Sequence, residues 1–264
     1  MKKIILFLLL AFLFTGVVSA QNDDFVNAIM KAKKNLHTAM NNFEEKDLLK
    51  VRGEFERILQ LKKNMWIVNY WIAYIDYSIA TSAMEEKSRD NDKVKKYTES
   101  ALALTDKSME EKDDFADTYV LRMSLNFNRW FYESDKMEDI LSGTNQAEEM
   151  VKKLDPGNPR YHFMKGLSML YTPESFGGGN DNALKSLGKA YDVFQTRKEA
   201  EEYYPDWGYD MTCGFLSITY MKRDKEGDLD KAKIYLDKGL EINPNSGFLL
   251  NTVTKQYEEK TKKN

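Results

Sequence analysis

An all-α superhelix of about five antiparallel helical hairpins with a C-terminal capping helix is the fold this sequence predicts. Three observations predict it. Apolar residues recur at helical spacing along nearly the whole chain, and strand-like alternation is absent. The five prolines, Pro156, Pro159, Pro173, Pro205 and Pro244, all lie beyond residue 150 in turn-like stretches. A shift of 49 residues lays one pair of segments on another: LSMLY at 167–171 falls on LSITY at 216–220, Ala183 on Ala232, Leu187 on Leu236, and Lys189 on Lys238.

The elements follow in order. Residues 1–20 have the layout of a secretory signal peptide: Lys2 and Lys3, then the apolar run 4–14, then small residues ending at Ala20. That run is shorter than the roughly 20 residues needed to span a bilayer. Residues 21–264 then form one helical domain, expected in a bacterial periplasm. Helices near 23–42 and 46–62 make the first hairpin, and 65–85 with 91–109 the second. The third pairs 113–133 with 144–154, the fourth 159–171 with 180–197, and the fifth 207–221 with 228–241. A Lys- and Glu-rich helix near 246–260 caps the array with a polar outer face. LDPGNP at 154–159 and INPNSG at 242–247 stop helices, because proline cannot continue one. Asp181 and Asp228 are placed as N-caps.

The repeated unit resembles the tetratricopeptide repeat, whose first helix carries Leu and a small residue followed three later by Tyr, and whose second carries Ala and an aromatic residue four on, with Pro at the end. Leu167, Ser168, Tyr171, Ala183 and Leu187 match in type, as do Leu216, Ser217, Tyr220, Ala232, Leu236 and Pro244. Met164 and Cys213 stand at the usual tryptophan position, and both copies carry extra residues between their helices. The stretch 155–210, with NPRYHFMKG, YTPESFGGG and YYPDWG, is similar to exported helical-repeat proteins of Bacteroidetes. More loosely it is similar to the T-component of tripartite ATP-independent periplasmic transporters, through Pro173, Glu174, Gly177 and Gly178. The resemblance implies a periplasmic binding or assembly role.

The GGG of 177–179 is read as a turn inside the fourth hairpin. A phosphate loop requires a preceding strand and, in the Walker form, a Gly-Lys-Ser/Thr ending, whereas Asn180 and Asp181 follow here. Charge argues against nucleic acid: 39 basic residues face 42 acidic ones. Metal and hydrolase signatures are missing, and His37 and His162 lie far apart. His162 is read as a surface or packing histidine, and the lone Cys213 as a small buried hydrophobe. The expectation is a protein that is not an enzyme and uses no cofactor.

NMWIVNYWIAYIDYSIA at 64–80 is apolar all round and is expected to be a central helix. Trp66, Tyr70 and Tyr74 share one face by their spacing. With Tyr119, Asn126 and Trp130 from the next first-position helix, they either line a concave binding groove or fill the space between hairpins. Asp76 is expected to pair with Arg122 or Arg129. The partner such a groove takes is a protein segment or a small ligand; the alternative role is an accessory solute-binding subunit of a transporter.

Overall fold

The computed structural model describes residues 24–84 and 88–262. The expected signal peptide lies outside them. Every regular element among the described residues is helical, and no strand occurs there. Helix α1 runs over 24–42 and presents Phe25, Ile29, Ala32, Leu36 and Ala39 to the core at intervals of three and four. Helix α2 (Glu45–Ile58) answers with Leu48, Val51, Phe55 and Ile58. Asn35 on α1 donates to Glu54 on α2 at 2.7 Å, which fixes the first hairpin.

Four further hairpins follow: α3 (Met65–Ser82) with α4 (Asn91–Glu111), α5 (Ala116–Asn128) with α6 (Met137–Leu154), α7 (Pro159–Tyr171) with α8 (Asn180–Thr196), and α9 (Tyr209–Arg223) with α10 (Asp228–Ile242). A π turn, Leu249–Val253, leads into α11 (Thr254–Thr261), none of whose residues is buried. The first helices also touch in series, α3 on α5, α5 on α7 and α7 on α9, so they share one face of the superhelix. Helix α3 is the centre: 14 of its 18 residues are buried, which is why its sequence shows no polar side.

Some boundaries differ from expectation. Helix α6 begins at Met137 rather than near 144, because Gly143 stays helical and lets α6 approach Asn126 of α5. Helix α9 begins at Tyr209, since Trp207 leaves the helix for a different packing partner. The N-caps of α8 and α10 are Gly179 and Gly227, both at positive φ, in place of Asp181 and Asp228, which sit in the first turns.

The glycine stretch is a turn. Gly179 donates its amide to the carbonyls of Met169 (2.9 Å) and Thr172 (3.1 Å), which satisfies the open end of α7. A Cβ on Gly178 would lie 1.9 Å from the Thr172 carbonyl oxygen, so the close approach requires glycine.

The repeat packs as small against large. Ala183, Leu187, Leu216, Ala232 and Leu236 are buried, and Leu167 is half-buried. The two tyrosines differ. Tyr220 stacks on Tyr235 of α10 at 5.7 Å, whereas Tyr171 is 62% exposed. At the matching position of the fourth hairpin stands Ser186, too small to serve as a platform. Ala183→Leu and Ala232→Leu should each lower unfolding free energy by about 1–3 kcal/mol through overpacking. Tyr171→Ala should stay within about 0.5 kcal/mol. Guanidinium titrations followed by circular dichroism check both.

The concave face and the strap across it

Twelve residues, 197–208, connect α8 to α9 without helix, a length that in a compact array calls for a reason. The segment crosses the face shared by the first helices and touches all four hairpins N-terminal to it. From α1, the buried Lys33 ammonium donates to the Glu202 carbonyl (2.5 Å) and the Tyr204 carbonyl (2.7 Å), and lies 3.1 Å from Asp206 Oδ2. From α3, Trp71 Nε1 donates to the Tyr203 carbonyl at 3.0 Å. Three consecutive backbone carbonyls are thus met by side chains more than 130 residues away.

The side chains of the strap are held as specifically. Trp207 stacks on Tyr74 (4.6 Å, 17°), donates through Nε1 to the Tyr70 hydroxyl (3.0 Å) and meets the edge of Phe163 of α7. Tyr204 packs edge-on against Trp66 and Phe115, the residue that opens α5. Tyr203 meets Phe25 of α1. Glu199 accepts from Arg160 Nη2 at 2.6 Å, and the other side of that guanidinium is bound to Asp117 of α5. Arg160 is 1% exposed and also lies over the Trp207 ring.

Electrostatics agrees with this geometry. Burial pushes the Lys33 pKa down, opposed by the Asp206 charge. For Asp206, partial burial works against ionisation. The hydrogen bond from His37 (3.1 Å) and the Lys33 charge outweigh it, so its carboxyl titrates below the ordinary value. Burial raises the Tyr70 and Tyr74 hydroxyls well above the usual tyrosine range, which keeps them neutral.

The residues singled out in the sequence divide into two sets. Trp66, Tyr70 and Tyr74 come together, and the strap covers them: they are 8%, 0% and 3% exposed. Tyr119, Asn126 and Trp130 do not join them at the strap. Tyr119 stands half-buried at the edge of the core with its hydroxyl on the Asp113 carbonyl. Asn126 is buried between α5 and α6, and Trp130 is half-buried in the 3-10 turn after α5.

The expected pairing of Asp76 is corrected. Its partner is Arg52 of α2, with Nε 2.6 Å and Nη2 3.0 Å from the carboxylate, joined by Ser100 at 2.7 Å. Asp76 lies two residues beyond Tyr74, about 200° around the helix, so it faces the second-helix layer and away from the strap. Arg122 instead binds Thr105 and Asp106, and Arg129 binds Glu133.

Sequence reasoning missed Lys33, Trp71, Arg160 and the strap. The available signal was YYPDWG itself, aromatic-rich yet broken by Pro205 and Gly208. Among the described residues, no group of three or more His, Cys, Asp or Glu residues is placed to hold a metal ion. His162 is buried with Nε2 on the Pro156 carbonyl. Cys213 is fully buried and its thiol is pushed up to about 12, an inert state. The arrangement on the concave face is one that grips a turn of the chain by its backbone carbonyls, the Tyr204 amide closing that turn on the Glu201 carbonyl at 3.0 Å.

Three measurements check this. Trp207→Ala should cost about 3–5 kcal/mol of stability. Asp117→Ala should cost about 3–5 kcal/mol, because it leaves the Arg160 guanidinium buried without that carboxylate. Asp206 has a depressed folded-state pKa, so its contribution is present above about pH 4 and is lost as the pH falls through the lowered value. Acid titration of stability should therefore be steeper in the wild type than in Asp206→Asn.

No protein-family model and no curated protein matches this chain. Solved structures do. The HusA haemophore from Porphyromonas gingivalis aligns with a TM-score of 0.60 and 19% identity, over 77% of this chain and 94% of its own. A thermophilic TPR protein from Thermus thermophilus aligns with a TM-score of 0.55 and 15% identity, over 85% of this chain and 98% of its own. At these identities the likeness is one of fold, and the fold is a tetratricopeptide-like helical superhelix.

Proposed function

We propose that this chain is an exported, non-catalytic binding scaffold that holds a protein segment on the concave wall built by α1, α3, α5 and α7. One observation carries the proposal: that wall already seats residues 202–207 through their backbone carbonyls as well as their rings. Hydrogen bonds to a segment's main chain supply affinity, and pockets for its side chains supply specificity. Fixed aromatic rings add contact area at little ordering cost.

Export rests on the layout of residues 1–20. The absence, among the described residues, of any helix long and apolar enough to cross a membrane is compatible with it. A small-ligand role, as an accessory subunit for solute uptake, is favoured by one finding: a protein of similar fold is named a haemophore.

Two experiments test the proposal. Osmotic-shock fractionation with mass spectrometry should find the chain in the periplasmic fraction, starting at Gln21; a chain retaining residues 1–20 contradicts export. A photoreactive residue at His37, beside the strap, should crosslink a defined protein in the native cell, while one at Glu258 on α11 should not. Adducts independent of position contradict the concave-wall reading. A tetrapyrrole or other small molecule retained in native mass spectra, with no rim-specific protein adduct, favours the uptake role instead.

A further inference from the structure

We propose that segment 202–207 is a tethered occupant of a peptide seat. The partner segment that replaces it turns where residues 201–204 turn and then carries an acidic residue followed directly by an aromatic one, in the order of Asp206 and Trp207. The proposal rests on the reading that the concave wall binds a protein segment, and it names that segment's chemistry and the regulation of the site.

The seat is defined by what each wall group demands. Lys33 and His37 both point at one carboxylate, Asp206. Tyr74 offers a ring face to the next side chain, and the Tyr70 hydroxyl accepts that side chain's N–H. The Arg160 guanidinium, 5.9 Å from the ring centroid, adds a cation–π contact that favours an electron-rich indole or phenol there. Lys33 and Trp71 take the carbonyls two to four residues N-terminal to the acid. An occupant in reverse order would put its carboxylate against the Tyr74 face and leave Lys33 and His37 without the carboxylate they share.

The seat is exchanged, and does not stand empty. Lys33 is 2% exposed, and every acceptor of its ammonium belongs to the strap. Removing the strap with nothing in its place would open the Trp66, Tyr70 and Tyr74 rings to water and take from Lys33 its acceptors, which is unfavourable. The means of exchange are present. Residues 198 and 200–202 are exposed, and Gly208 at φ +109 marks the joint with α9. The Asp206 and His37 side chains, 43% and 53% exposed, are where an incoming segment first competes. A short tether holds its own segment at an effective concentration on the order of millimolar, so the wild type masks the seat from weak partners.

The test is a fluorescence-anisotropy titration with a labelled synthetic peptide, EAEEYYPDWG, the sequence of 199–208. It is added to the full mature chain and to Asp206→Ala/Trp207→Ala, which disables the tethered strap. The peptide should bind the double variant at least 10-fold tighter than the wild type, and a peptide with Asp and Trp interchanged should bind neither. A variant that is helical and melts cooperatively but takes up no peptide, or binds both peptides equally, overturns the proposal. Should that variant fail to fold, a ten-residue Gly-Ser insertion between Lys198 and Glu199 serves. It should tighten peptide binding roughly two- to five-fold by diluting the tether, and unchanged binding overturns the proposal. Rim-specific crosslinking in cells separates the two levels. If it persists while the peptide fails, only the strap exchange and the partner chemistry fall; if both fail, the concave-wall reading falls too.

Discussion

A single ammonium group organises the concave side of this molecule. Lys33 sits on the core-facing side of α1, against the Trp71 ring at 5.3 Å, with almost no contact to water. A cation in that place needs oxygen acceptors, and α3 presents the Trp71 ring to it. The strap between α8 and α9 supplies two carbonyls and a carboxylate. Once those are placed, Pro205 and Trp207 are drawn beneath the surface, and Trp66, Tyr70 and Tyr74 of α3 become interior. Whether Trp66, Tyr70 and Tyr74 line a groove or fill a core thus has a two-part answer: they line the concave wall, and the chain's own strap makes that wall part of the core.

The same contacts change the mechanics of a repeat array. In an open solenoid each hairpin feels only its neighbours, so stability is a sum of local pieces. Here the strap binds the fifth hairpin's leading edge to the first and second. A second closure lies at the ends of α1 and α10, where Asn243 Nδ2 donates to Asn41 Oδ1 at 2.9 Å. Gly247 approaches the Asn41 carbonyl so closely that a Cβ would stand 2.3 Å from it. One apolar cluster accordingly runs from Phe25 through Leu216. The superhelix is closed on itself, and its ends hold each other.

How much of this was legible depends on the range over which each feature is decided. The hairpins are decided locally: Pro159 and the Asn158 side chain on the Tyr161 amide begin α7 within a few residues of the turn that precedes it. The fit of Leu187 of α8 against Gly166 of α7 is equally local. The strap is decided by partners 132 to 171 residues away, and no periodicity carries information over that distance. Asp76 shows the intermediate case. A buried carboxylate predicted an arginine, but the choice between Arg52 and Arg122 depends on which side of α3 faces α2. That is set by where the strap lies. Tyr171 shows that a motif match in residue type does not carry its packing when the opposing position holds Ser186.

Native-state hydrogen exchange on α1 and α9 tests the central claim most directly. If the strap makes the superhelix one unit, the slowest amides of both helices open only with global unfolding, and Asp206→Ala/Trp207→Ala lowers both together. If α1 instead exchanges by its own low-energy opening while α9 stays protected, the hairpins behave as an open array and the strap does not hold the fold together.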